Sequence, residues 1–309
     1  MSFSLTVLGS SSALPTSKRF PSAHVLNVHE HFFLIDCGEG TQIQLRKYKI
    51  RMSRINHIFL THMHGDHVFG LPGLFSTFNL LGRKTDLFVY GPAEIQKLID
   101  FYLFHFAHDL LYRIQFVPVK TKKQEIVFEN KHLGVETIPL KHRIPTVGYL
   151  FREKEKERNI KKDVIEKYNI SISNILQIKK GEDFVTEEGK VIPNNELTIP
   201  PYKSRSYAYC SDTQFHTRLA ERIEGVDLLY HEATFLEKDK RLAKLTLHST
   251  AIQAATIAKM AGVGKLIIGH FSSRYDDAEG FVAEARNIFK NTEAAEEGKQ
   301  FEISLIRSS

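Results

Sequence analysis

The sequence predicts a layered α/β domain, a single catalytic unit interrupted by one inserted arm. Three observations carry that prediction. Short apolar runs of strand length recur and end in His or Asp, helical patterns alternate with them, and one Lys- and Glu-dense stretch breaks the alternation.

Composition sets the frame. The 309 residues are 42% hydrophobic and include 22 Phe, enough apolar side chain for a substantial core. No run approaches the ~20 apolar residues that cross a bilayer, and no N-terminal stretch has the form of a signal peptide. A cytoplasmic protein with no membrane partner is expected. Cys37 and Cys210 are the only cysteines, which excludes a disulfide framework and a thiolate metal cluster. The net charge of +6 favours a polyanionic partner without naming one. Part of the excess is local, at Arg46, Lys47, Lys49, Arg51 and Arg54 and again at Lys120, Lys122 and Lys123. The second knot reads as a solvated loop.

Taken in order, Phe3–Gly9 alternates apolar and polar residues as a strand does, and the loop Ser10–Ser22 follows with two prolines and five serines. Strands are expected at Ala23–Val28 and His31–Ile35. The runs Ile55–Leu60, Val135–Leu140, Tyr207–Cys210, Val226–Tyr230 and Leu266–Ile268 come next, followed closely by His62, His142, Asp212, His231 and His270. One such ending is ordinary, because polar residues also begin turns. Five in one chain point to strand ends that converge on a common rim. Helices are expected at Asp66–Leu81, Ala93–His108, Gln214–Ile223 and Ser249–Ala261, the last capped by Ser249 or Thr250 and stopped by Gly262. The segment Arg152–Pro200 reads as the inserted arm, with a short amphipathic helix at Asp163–Tyr168 and a turn at Glu187–Lys190.

The chemistry concentrates at Thr61-His62-Met63-His64-Gly65-Asp66-His67, three imidazoles and a carboxylate within six positions after a strand. Imidazole with carboxylate suits zinc, and manganese or iron would accept the same set. A dinuclear site needs further ligands and a bridge. His142, Asp212 and His270 are the natural completion, with Asp212 able to bridge.

The His-x-His-x-Asp-His signature resembles that of the metallo-β-lactamase superfamily. The stretches Asp36-Cys37-Gly38-Glu39-Gly40-Thr41-Gln42, His67-Val68-Phe69-Gly70-Leu71-Pro72-Gly73-Leu74, His231-Glu232-Ala233-Thr234-Phe235, His248-Ser249-Thr250 and Gly269-His270-Phe271-Ser272-Ser273-Arg274-Tyr275 resemble the ribonuclease Z family in particular. The resemblance implies an αββα sandwich with an inserted exosite arm, and an endoribonuclease that removes the 3′ trailer from precursor tRNA. It implies two zinc ions per subunit, one on His62, His64 and His142, the other on Asp66, His67 and His270, bridged by Asp212. It also implies that Asp66 accepts a proton from the attacking water. His248 is placed to donate one to the leaving oxygen, for which it needs a carboxylate partner, and Glu232 fits. Arg274 has the planar fork to hold a phosphate and equally to form a structural ion pair. A homodimer is implied, one subunit's arm serving the other's site. The signature alone would also fit a phosphodiesterase or arylsulfatase acting on small molecules.

Two departures from the family stand out. The arm lacks the Gly-Pro tip of bacterial relatives and carries Ile170-Ser171-Ile172-Ser173-Asn174-Ile175-Leu176 there. The Pro-x-Lys-x-Arg-Asn loop that meets the tRNA 3′ end reads Pro15-Thr16-Ser17-Lys18-Arg19-Phe20. Lys18, Arg19 and Phe20 are therefore the expected contacts to that end, with Phe20 stacking on a base.

Overall fold

The computed structural model describes residues 1–307, which fall into two compact units. The larger, residues 1–152 with 206–303, holds two seven-stranded sheets. In spatial order the first sheet runs Gln300–Glu302, Phe3–Gly9, Ala23–Val28, His31–Ile35, Ile55–Phe59, Leu87–Gly91 and Ile114–Pro118. The second runs Thr292–Ala294, Lys265–Gly269, Leu228–Glu232, Ser206–Cys210, Val147–Glu153, Leu133–Pro139 and Ile126–Glu129.

The period of two along each strand explains why the sheets face each other. Phe33 and Ile35 point into the layer between the sheets while Leu34 points the other way, and Tyr207 and Tyr209 alternate with Ala208 and Cys210. The central layer is therefore aromatic, built from Phe33, Phe59, Tyr90, Tyr149, Phe151, Tyr207, Tyr209 and Tyr230. The outer faces are aliphatic and covered by helices. Leu71–Leu80 and Ile95–Phe106 contribute residues to the core outside the first sheet, and Ala251–Met260 and Glu279–Arg286 to that outside the second. The result is the αββα sandwich.

The strands expected at Phe3–Gly9, Ala23–Val28 and His31–Ile35 have those bounds. The long helix expected from Asp66 to Leu81 is two helices, Gly65–Val68 and Leu71–Leu80. The break has a cause in packing: the Gly70 amide donates to the Cys37 carbonyl, and a Cβ on Gly70 would fall 2.1 Å from the Gly38 oxygen. Gln214–Ile223 is helical only over Arg218–Arg222, because the Gln214 amide donates to the Lys141 carbonyl and the Thr213 amide to Glu232. Thr250 caps Ala251–Met260 in a reciprocal pair with Gln253.

Among the described residues, the second unit comprises 153–205 and 304–307. It has a small core of its own, from Val164, Ile170, Ile178, Phe184, Ile192 and Leu197. Asn194 ties it together, donating through Nδ2 to the carbonyls of Ile178 and Glu182, each at 2.7 Å. At its stem the buried Arg205 guanidinium donates to both carboxylate oxygens of Glu153, at 3.0 and 2.8 Å. The stretch 170–176 turns into the helix Ile172–Lys179, capped by Ser171, with Ile172 and Leu176 exposed one turn apart.

Phe59 packs against Tyr90, Tyr149 and Phe151 with ring centroids 4.5, 5.1 and 5.3 Å away, so it joins both sheets. Phe59→Ala is expected to cost about 3–5 kcal/mol. Urea unfolding checks this as a lower midpoint at unchanged slope.

Candidate metal centre

The converging strand ends bring together His62, His64, His142 and Asp212 as one group of donors, and Asp66, His67 and His270 as a second. Ring nitrogens face each other at contact distance: His62 Nε2 is 2.9 Å from His64 Nδ1, which is 3.4 Å from His142 Nε2. Asp212 stands between the groups. Its Oδ2 is 3.4 Å from His62 Nε2 and 3.7 Å from His142 Nε2, whereas its Oδ1 is 3.4 Å from His67 Nε2 and 3.1 Å from His270 Nε2. Asp66 Oδ2 lies 3.3 Å from His270 Nε2 and 3.5 Å from His67 Nε2.

Outside this ring of donors four of the imidazoles, those of His62, His67, His142 and His270, are oriented by their other nitrogen. His67 Nδ1 donates to Asp36 Oδ2 at 2.7 Å, and His142 Nδ1 to the Leu247 carbonyl at 3.1 Å. Two threonines act as relays. Thr61 Oγ1 donates to Asp36 and accepts from His62 Nδ1 at 2.9 Å, and Thr234 Oγ1 donates to Glu232 and accepts from His270 Nδ1 at 3.0 Å. Four rings thus present Nε2 inward, and His64 alone presents Nδ1. The backbone bends to do this: Asp36, Leu247 and His270 hold positive φ of 54°, 59° and 62°, a strained region for such residues.

The donor set fits divalent ions on electrostatic grounds as well. Asp36, Asp212 and Glu232 are buried and Asp66 nearly so, and buried carboxylates need compensating positive charge. Burial pushes the His62 imidazole down to about 4 and lowers those of His64 and His142. Burial works against charge on His67 too, yet Asp66, Asp36 and Asp212 around it hold it well above the ordinary range. His67 Nε2 is buried with no hydrogen-bond partner. Carboxylates crowded around an enclosed imidazole nitrogen suit a divalent cation.

Beside the donors stands His248, whose Nδ1 donates to Glu232 Oε1 at 2.9 Å. Burial alone would lower its pKa, but the Glu232 carboxylate lifts it to about 9. Glu232 is held as an acceptor by the amides of Thr213, Ser249 and Thr234 and by the Thr234 hydroxyl. Burial would raise its carboxyl, and the His248 imidazole brings it down to about 2. Asp66 is likewise held well below the usual carboxylate range: burial opposes the shift, and His67 and His270 drive it.

A cleft of about 600 Å³ opens onto this centre, lined by His64, Asp66, His142, Asp212, His248 and His270 with Phe69 and the exposed Arg274. The 3′-end contacts expected at 18–20 fall otherwise. Arg19 donates to the carbonyls of Tyr275 and Asp276, at 3.1 and 3.4 Å, and lies over the Phe271 ring, so its fork is spent on the fold. Phe20 is half-buried with its ring over Gly40, and Lys18 is exposed beside a second cavity. None of the three lines the cleft. His231, at a strand end in the sequence, is buried with Nδ1 donating to the Glu232 carbonyl and belongs to neither donor group.

Sequence reasoning missed Asp36, Thr61 and Thr234 as orienting residues, and Glu297, whose Oε1 accepts from the Ser10 amide and hydroxyl and from the Phe20 amide. Glu297 thereby fixes both ends of the loop that walls the cleft. For Asp36 the available signal was its place at the end of a strand, the same signal that singled out the ligands. Asp36→Asn is expected to weaken metal binding about 10- to 100-fold without unfolding the chain. Competition with a chromogenic chelator measures this, and an unchanged affinity would rule the orienting role out.

Comparisons with known proteins agree with this geometry. The family model described as Anti-Pycsar protein Apyc1 matches residues 3–261. Ribonuclease Z of Phocaeicola vulgatus is 47% identical over 99% of both chains, and ribonuclease Z of Bacteroides fragilis is 48% identical over 96% of this chain and 97% of its own. The crystal structure of human tRNase Z, short form, superposes with a TM-score of 0.70 at 25% identity, covering 97% of this chain and 99% of that one. The chain belongs to the ribonuclease Z family, endoribonucleases of tRNA 3′ processing on the metallo-β-lactamase fold, and falls within the sequence family that the Apyc1 model describes.

Proposed function

We propose that the protein is a zinc-dependent endoribonuclease that removes the 3′ trailer of precursor tRNA, leaving a 3′-hydroxyl on the tRNA and a 5′-phosphate on the trailer. The observation that carries this reading is Asp212, whose two oxygens face two different donor groups beside the His248–Glu232 pair. Zinc suits the imidazole and carboxylate set: His62, His64 and His142 would hold one ion and Asp66, His67 and His270 the other, with Asp212 between them available to both. When bound, two such ions supply Lewis acidity toward the phosphodiester and toward the attacking water.

The chain's own residues do the rest. Asp66 accepts a hydrogen bond from the attacking water, aims it at phosphorus and takes up its proton for release to solvent. As the bond between phosphorus and the tRNA O3′ breaks, that oxygen takes a proton from His248 Nε2 and becomes the 3′-hydroxyl. Glu232 keeps His248 protonated and its ring turned toward the cleft. Arg274 meets a phosphate at the mouth. The unit over 153–205 serves as the exosite arm, with exposed Lys154, Lys162, Lys167, Lys180 and Lys190 facing the tRNA backbone. The working form is a cytoplasmic homodimer. Among the described residues, no helix is long and apolar enough to cross a membrane.

His248→Ala is expected to retain about two zinc ions per chain and to slow cleavage of precursor tRNA by ~10²–10⁴. Elemental analysis with single-turnover kinetics checks both, and metal loss in this variant would move His248 from donor to ligand. Replacing residues 156–202 by a Gly-Ser linker, which keeps the Glu153–Arg205 stem, should weaken precursor-tRNA binding and flatten its salt dependence. Hydrolysis of bis-p-nitrophenyl phosphate by that variant should persist, and equal loss on both substrates would make the segment structural.

A further inference from the structure

The cleft over the metal centre has an aromatic ring at its mouth that the steps above do not use. Phe69 directly follows the helix Gly65–Val68 and is 68% exposed, whereas Phe235, the other aromatic in the lining, is 5% exposed. The Phe69 ring does not hang free. A Cβ on Gly65 would fall 2.3, 2.5 and 2.8 Å from its Cε2, Cζ and Cδ2, so the ring lies back against bare backbone between His64 and Asp66. The absence of a side chain at 65 is what lets the ring rest on the donor loop itself. The Cδ2–Cε2–Cζ side of the ring is seated there, and most of the residue's surface stays open to solvent at the cleft.

Resting on the reading of the site as a nuclease, we propose that Phe69 is a stacking platform for the nucleobase adjoining the scissile phosphate, and so a specificity-determining residue for an unpaired substrate end. The chemistry of the cleft suits that occupant. A phosphodiester drawn to the buried donor centre carries a base within one nucleotide on either side. A flat apolar ring held at a fixed angle takes up a base face of any identity, because every base has a π-face. Arg274 at the same mouth supplies a cation for the neighbouring backbone phosphate. The platform rewards an unpaired, flexible nucleotide at the cut and rejects a base that is stacked in a helix, because a base in a duplex has no free face to offer. It reads no hydrogen-bonding edge, so it selects for single-strandedness and not for sequence.

The test is a double cycle on the zinc-loaded protein. Phe69→Ala and Phe69→Trp are compared with the parent on a precursor tRNA carrying a short trailer. The same tRNA is also made with an abasic nucleotide either just before or just after the cut. Zinc content and thermal midpoint confirm that each variant is intact, which the exposure of the side chain favours. The parent should lose about 5- to 100-fold in kcat/KM when the stacked base is removed, carried mainly by KM. Phe69→Ala should lose a similar factor on the intact substrate and almost nothing more on the abasic one, and Phe69→Trp should recover most of the loss. The abasic position at which the losses cease to add identifies whether the base belongs to the tRNA or to the trailer. Independent, additive losses at both positions, or an unaltered KM in Phe69→Ala, overturn the platform. If the parent fails to cut the precursor at all, the nuclease reading falls first and this inference with it.

Discussion

The burial of carboxylates at the meeting of the two sheets governs much of what the structure does. Asp36 and Asp212 have almost no access to water, and the aromatic layer beneath them is a poor solvent for charge. Such groups are stable only when hydrogen-bonded, paired or ligated. Asp36 is satisfied by the Thr61 amide and hydroxyl, by His67 and by the Tyr209 hydroxyl at 2.9 Å. Asp212 has less help from neutral donors, chiefly the Ser211 hydroxyl at 3.0 Å, and otherwise faces imidazoles. The first carboxylate is an anchor engaged by the fold, and the second faces mainly the imidazoles of the two donor groups.

That division explains the shape of the central layer. Tyr149 and Tyr209 fill the volume a Phe would fill, but Tyr149 donates to the Leu60 carbonyl just before the ligand loop, and Tyr209 donates to Asp36. Packing and ligand orientation are thus carried by the same side chains. A change in the core of the sandwich is transmitted to the centre through hydroxyl groups and not only through volume.

The first three strands and the ligand set were legible because both follow from short-range rules. Alternation marks the strand, and a polar residue of ligand type at its end marks the rim. What the sequence hid was decided by distant contacts. The break at Gly70 depends on the Cys37 carbonyl, the short helix at Arg218–Arg222 on Lys141 and Glu232, and the role of Arg19 on carbonyls more than 250 positions away. The helices Thr41–Lys47, Lys240–Thr246 and Glu279–Arg286 went unread, the first two being too short for periodicity to rise above the surrounding charge. The resemblance implies Arg19 and Phe20 as contacts to RNA; in the fold Arg19 donates to backbone carbonyls and the Phe20 ring lies over Gly40, outside the lining of the cleft.

The two halves of the sandwich solve the same problem in the same way. In the first, Asp36 follows the end of a strand, Thr61 relays it to His62, and its other oxygen holds His67 directly. In the second, Glu232 ends a strand, Thr234 relays it to His270, and its other oxygen holds His248 directly. Each carboxylate therefore governs two imidazoles, one through a hydroxyl and one by contact. The difference lies in what the directly held ring faces. His67 looks inward, its Nε2 3.5 Å from Asp66 Oδ2 and 3.4 Å from Asp212 Oδ1, within the second donor group. His248 lines the cleft, where the Glu232 carboxylate lifts its pKa to about 9 against the effect of burial. One local arrangement, a carboxylate that holds one imidazole by contact and a second through a threonine hydroxyl, is thus used twice, and what differs is the setting of the directly held ring: the enclosed donor group for His67, the wall of the cleft for His248.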